Sequence, residues 1–204
     1  MANKSGILMR LLSRFGSKMK KSLAVLTAIL TLSGCAGSPS NYLALSPDVP
    51  AITSSANGRI ALSTQDARSS NTAVRIIKGD DPAKLMGTGE SPAIQLGNLF
   101  RQSFSSKGFQ LDPAATNILE LKLERLQSDI NETMLGYEAA NEIIISAYAR
   151  NEQQLFSKRY TARGTMKGPL SLDLATLELE MNKLITQLAG DIVNDPELTQ
   201  FLMQ

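Results

Sequence analysis

Histidine and tryptophan are absent from the 204 residues, and cysteine occurs once, at Cys35. Without histidine there is no Ser-His or Cys-His pair. With a single cysteine there is no disulfide within the chain and no Cys/His zinc site. Aromatic residues make up 5%, which supplies a stacking platform for bases or sugars poorly. No apolar run reaches the roughly 20 residues of a membrane-spanning helix. These absences make an enzyme the least supported class; only chemistry built on Asp/Glu or Ser-Lys stays open. No catalytic residue, metal or cofactor is expected.

What is present is concentrated near the N-terminus. Lys20-Lys21 precede the apolar run Leu23–Leu32, and Leu32-Ser33-Gly34-Cys35 follows. A basic start, a short apolar core and small residues before a cut site are the parts of a secretion signal. With cysteine as the residue after the cut, the stretch resembles the lipobox of bacterial lipoproteins. An ordinary signal peptide with an incidental cysteine, or a buried core helix, are the competing readings. Residues 1–34 are therefore expected to be removed, with translation starting at Met1 or at Met19, and Cys35 is the expected lipidation site.

Six of the 21 Lys and Arg side chains precede residue 35, leaving 15 against 19 acidic ones, a net of −4. This mildly acidic balance offers no electrostatic footprint for nucleic acid or anionic headgroups. The expected membrane partner is reached through acyl chains on Cys35, since two or more chains anchor stably without a basic patch.

Residues 35–57, rich in Ser, Pro and Ala, are expected as a lipidated N-terminus and flexible tether, with a short edge strand at Tyr42–Leu45. Residues 58–204 form the expected single domain. Arg59–Leu62 and Ala73–Ile77 suit a hairpin, and Lys78–Glu90 a loop. Ser91-Pro92 opens a helix whose Leu96, Leu99, Phe100 and Phe104 share one face, and Gly108 ends it. Strict alternation in Leu119–Glu124 marks a strand with one wet face. Ile143, Ile145, Ala147 and Ala149 mark a second and Phe156, Tyr160 and Ala162 a third, giving an antiparallel meander with a long tip at Asn131–Asn141. Ser171 is placed to cap a second long helix with a buried stripe of Leu174, Leu177, Met181, Leu184, Leu188 and Ile192. Asp195-Pro196 starts a short third one. The expected class is α+β, a two-layer sandwich of an antiparallel sheet with two long helices on one face.

Other candidate chemistry is thin. Asp80, Asp81 and Glu90 could supply oxygens to a calcium ion, but their spacing matches no ligand loop and a solvated loop is the simpler reading. Gly87-Thr88-Gly89 lacks the Lys of a phosphate loop. Asp66 and Arg68 suit a loop-stabilising pair better than a partner contact. Glu120 with Glu124, and Glu178 with Glu180, would have to converge across a cleft to act as glycosidase carboxylates.

The order of elements adds a resemblance. A lipobox, Ile60-Ala61-Leu62 followed by Asp66-Ala67-Arg68, a helix ending Ser106-Lys107-Gly108-Phe109, then Ala115–Leu121 and Tyr160–Gly164 before a C-terminal helix resemble the YajG family of Gram-negative lipoproteins. The resemblance implies lipidation at Cys35 and carries no catalytic residue or ligand. Ala36, not aspartate, after the cysteine implies delivery to the outer membrane, with the domain facing the periplasm. The expected role is a non-enzymatic protein-interaction module of the cell envelope, with exposed sheet residues and the 131–141 tip as its contact surface. The alternatives are an auxiliary subunit of an envelope transport or flagellar-type assembly, or a binder of a small cell-wall or lipid ligand between helix and sheet.

Overall fold

Strict apolar alternation over fifteen residues makes Ile118–Glu132 (β6) the strand around which everything else is placed. In the computed structural model, which describes residues 41–204, the remaining elements are β1 (Tyr42–Leu43), β2 (Gly58–Asp66), β3 (Val74–Lys78), β4 (Lys84–Thr88), α1 (Pro92–Lys107), β5 (Phe109–Leu111), β7 (Gly136–Arg150), β8 (Leu155–Pro169), α2 (Leu174–Val193) and α3 (Pro196–Leu202). The lipobox and the expected signal segment lie outside the described residues.

One edge of β6 pairs antiparallel with β7 along its whole length, and β7 pairs in the same way with β8. This is the expected meander. The other edge of β6 is shared: β2 runs parallel to Ile118–Leu123 and β3 runs parallel to Ser128–Glu132. The expected hairpin between these two segments is therefore corrected. Two short strands joined by a polar stretch can pair with each other or lie end to end along a third, and β6 is long enough to hold both. Residues 67–73 leave the sheet between them, bracketed by Ala67 N–H to Leu123 O and Ser128 N–H to Ala73 O.

Further corrections follow from the same pairing. The segment expected as a loop, 78–90, contains β4, antiparallel to β3, and β1 joins β4 in parallel. The sheet is thus an eight-stranded mixed one rather than antiparallel, and beside the two long helices, of 16 and 20 residues, lies a short third one of 7. The α+β class stands. The expected long tip shrinks to a turn at Thr133–Leu135, because the ladder continues to Glu132 opposite Tyr137. Asp173, not Ser171, caps α2 by accepting from Thr176 N–H.

Packing follows the apolar stripes. Leu96, Leu99, Phe100 and Phe104 of α1, and Leu177, Met181, Leu184, Leu188 and Ile192 of α2, are buried against Leu119, Leu121, Leu123, Ile143, Ile145 and Ala147 of the sheet. Each such side chain stabilises the fold by roughly 1.5–3 kcal/mol. Gly108 ends α1 at φ +114°, and a Cβ there would meet Ala56 O at 2.2 Å. Only glycine fits.

That contact belongs to the largest departure from expectation. Residues 44–56 are not a loose tether but a strap laid along α2. Ala44 N–H donates to Glu178 (2.7 Å), Ser46 N–H to Asn182 (2.8 Å), and Thr186 donates to Asp48 O (3.1 Å). Pro50 sits where a Cβ on Gly190 would approach to 3.3 Å, and Asn194 bridges Ala51 O and Thr53 N–H. The spacing is geometric: four helical residues rise about 6 Å and two extended residues about 6.6 Å, so every second strap residue meets every fourth residue of α2. Lys107 closes the strap by donating to Ser54 O and Oγ, and burial lowers its pKa.

Asn182→Ala removes the acceptor for Ser46 N–H. The expected cost is about 1 kcal/mol, with faster amide exchange at Ser46 while the amides of β7 stay protected. Unchanged exchange at Ser46 would show that α2 does not hold the strap.

Candidate functional site

The helices cover one face of the sheet and leave the other open. On that open face many of the outward residues of β6, β7 and β8 are charged, while the inward rows are largely apolar. A bulge at Leu123/Arg125 changes the phase of β6: Leu119, Leu121 and Leu123 face the helices before it, and Leu126 and Ile130 after it. Glu124 and Arg125 consequently both reach the open face.

Glu124 accepts from Arg159 (3.0 Å) and from the Ser146 hydroxyl (2.7 Å). Arg125 reaches Glu142 (2.7 Å) and Asp129 (3.8 Å), Arg163 meets Glu142 (2.7 Å), and Arg75 meets Asp129 (2.8 Å). Lys167–Glu138 and Lys122–Glu120 extend the pattern, with Lys122 also lying over the Tyr148 ring. Signs alternate across β3, β6, β7 and β8. Such exposed pairs contribute only about 0.2–1 kcal/mol each, but together they cover this face with charges of both signs. Glu120, Glu124, Asp129, Glu138 and Glu142 each have a cation within 4 Å.

The other sequence candidates are placed apart from one another. Asp66 and Arg68 form a two-pronged pair (2.9 and 2.8 Å) at the end of β2, with the Arg68 side chain 5% exposed. The Arg68 hydrogen bond holds the Asp66 carboxyl below its ordinary range against the opposing effect of burial. The pair braces the start of the 67–73 excursion, where Arg68 N–H also donates to Asp66 (3.2 Å), as a loop-stabilising role requires. Glu178 grips the strap and Glu180 lies near Lys183, so neither faces Glu120 or Glu124 across a cleft. Thr88, in the glycine-flanked stretch, donates to Glu90 O beside the β1–β4 pairing. Among the described residues no three or more acidic or cysteine side chains come together as a metal site. Cys35 lies outside them.

One polar cluster has no counterpart in the sequence reading beyond a helix start. Asp195, its side chain 5% exposed, caps α3 by accepting from Glu197 N–H (2.8 Å) and Leu198 N–H (3.2 Å). Its other oxygen accepts from Tyr160 Oη (2.7 Å) and Lys158 Nζ (2.8 Å), tying α3 to β8. Burial pushes Asp195 up, but Lys158, Tyr160 and the two N–H groups outweigh it and hold the carboxyl below 3.8. Tyr160 is raised, chiefly by burial and then by the Asp195 bond, so it remains a donor. Asp195 and Pro196 signal the cap in sequence; nothing there signals the Tyr160 bond, which joins residues 35 positions apart.

Because the folded pKa of Asp195 is depressed, its stabilisation is complete above the ordinary value of 3.8 and is lost as pH falls through the lower folded value. Asp195→Asn keeps an amide-oxygen cap and loses the charge. The expected outcome is a loss of about 1–2 kcal/mol at neutral pH, with melting curves of variant and parent converging under acid. A gap that stays constant to low pH would refute the assignment.

Comparison with known proteins places the fold. The crystal structure of protein XCC0632 from Xanthomonas campestris matches with a TM-score of 0.54 and 15% identity, covering 78% of this chain and 95% of that one. A second structure, of an uncharacterized protein, covers 74% and 99% at 12% identity and a TM-score of 0.35. The first likeness is one of fold alone, and the second carries no argument. No curated protein matches the chain. Among the described residues no helix is long and apolar enough to cross a membrane. A family model described as uncharacterized lipoprotein matches residues 46–203, and over that span the chain belongs to the YajG family of lipoproteins.

Proposed function

We propose that this lipoprotein is a non-enzymatic interaction module, anchored by acyl chains on Cys35 to the outer membrane with its domain in the periplasm, and that it meets an envelope protein through the open face of its sheet. The observation that carries this is the contrast between the two faces of the sheet. On the covered side the helices, the strap and the inward-facing strand residues leave a cavity of about 10 Å³ beside Leu45, Leu96, Leu126 and Ile185, no more than one water requires. On the open side, the charged outward side chains of three fifteen-residue strands stay partly or fully exposed. A pocket for a small ligand between helix and sheet therefore has little support, and a broad surface has more. Loops and faces on a rigid scaffold are the usual carriers of recognition.

The paired charges suit a partner with an alternating charge pattern of its own, since like charges set against this face would cost binding energy and so select the partner. The anchoring part of the proposal needs no basic patch, because burial of each acyl methylene contributes about 0.8 kcal/mol and more than one chain is attached.

In fractionated cells, Cys35→Ser is expected to leave the membrane fraction. In cells keeping Cys35, a photo-crosslinker in place of Thr161, on the open face of β8, is expected to capture an envelope protein that a crosslinker at Leu179 of α2 does not. A membrane-retained Cys35→Ser protein would refute the anchor; an open face that captures nothing at the membrane would refute the interaction role.

A further inference from the structure

The two ends of the long strands differ. At the β6–β7 turn, Met134 is 96% exposed and Leu135 89%, where a turn in water favours Gly, Asn, Asp or Ser. Leu170, 74% exposed, stands beside them just past β8, its N–H donating to Leu135 O (3.4 Å). Its φ of +61° is one that a bulky side chain rarely adopts. Three large apolar side chains from two chain segments thus share one end of the sheet, and the cluster uncovers them at a conformational cost.

The register shows which end this is. Tyr42 pairs with Gly87, and the β4–β3–β6 pairing carries that row across to Gln127 of β6. β1 is parallel to β4, and β4 runs away from the β6–β7 turn, so the chain before Tyr42 enters from the turn end. Met134 lies seven residues beyond Gln127, and Cys35 lies seven residues before Tyr42. At about 3.3 Å per residue each distance is at most roughly 23 Å. The intervening chain therefore lets Cys35 reach about the level of the apolar turn and little farther.

Resting on lipidation at Cys35, we propose that Met134, Leu135 and Leu170 are a second membrane contact, seated in the headgroup and upper acyl region of the leaflet that holds the Cys35 lipid. By register the charges at this end are mixed, with Lys78, Lys84 and Lys167 among Asp80, Asp81, Glu132 and Glu138. The attraction is apolar and does not need anionic lipid. Two contacts at one end of the sheet would set the long strands upright on the bilayer, whereas a single anchor would let the domain swing.

The absence of tryptophan makes the test direct. Leu135→Trp, and as control Leu155→Trp at the opposite end where Leu155 is 85% exposed, are purified as the lipidated full chain. Each is reconstituted into phosphatidylcholine–phosphatidylethanolamine vesicles whose acyl chains carry bromine near the headgroup. The indole at position 135 is expected to shift to the blue and lose intensity to bromine, and the one at 155 to do neither. A protein that floats with the vesicles while the position-135 indole stays water-like and unquenched overturns this inference alone. A blue-shifted indole at position 135 in lipid-free protein overturns it too, by showing a second copy on the turn. A protein that does not float overturns the anchoring reading and this inference with it.

Discussion

Strand pairing along both edges of β6 is the constraint on which the rest of the molecule depends. One edge is taken by a single antiparallel neighbour and the other by two parallel strands laid end to end. Because successive side chains on a strand alternate faces, this arrangement commits the inward row of β6 to the helices and the outward row to water. The bulge at Leu123/Arg125 is the one place where that commitment is renegotiated. It sits near the gap where β2 hands over to β3, so the change of phase and the change of partner fall together.

The elements whose evidence is local were legible in the sequence. The stripe Leu177–Met181–Leu184–Leu188, the Ser91-Pro92 start and Gly108 stop of α1, and the alternation of Leu119, Leu121 and Leu123 each state their own structure within a few residues. Pairing was less legible, because Arg59–Leu62 and Val74–Ile77 carry the same signal whether they pair with each other or with a third strand. The bulge did have a signal: inward apolar residues fall on odd positions up to Leu123 and on even ones from Leu126.

The strap was misread for a different reason. Glu178, Asn182, Thr186 and Asn194 form a polar stripe on α2, and a polar stripe on an amphipathic helix ordinarily faces solvent. Here it is satisfied by the backbone of an extended segment whose repeat matches the helix, an agreement between two periods far apart in the chain. The contacts that define the candidate surface have the same character. Arg125, Asp129, Glu142 and Arg163 are ordinary surface residues until register brings them into one network. Register is a long-range property, and composition does not carry it.

The geometry of β1 has a mechanical consequence. A tensile load entering at residue 41 runs along the strand axis, so the backbone bonds to β4 are strained in shear and must fail together rather than peel one by one. Behind them the polar grips along α2 take up what remains, spread over some four helical turns. Traction from a bilayer is thereby shared between the β4 edge of the sheet and the longest helix, so that β7 and β8 at the far edge can keep their shape while the mooring is pulled.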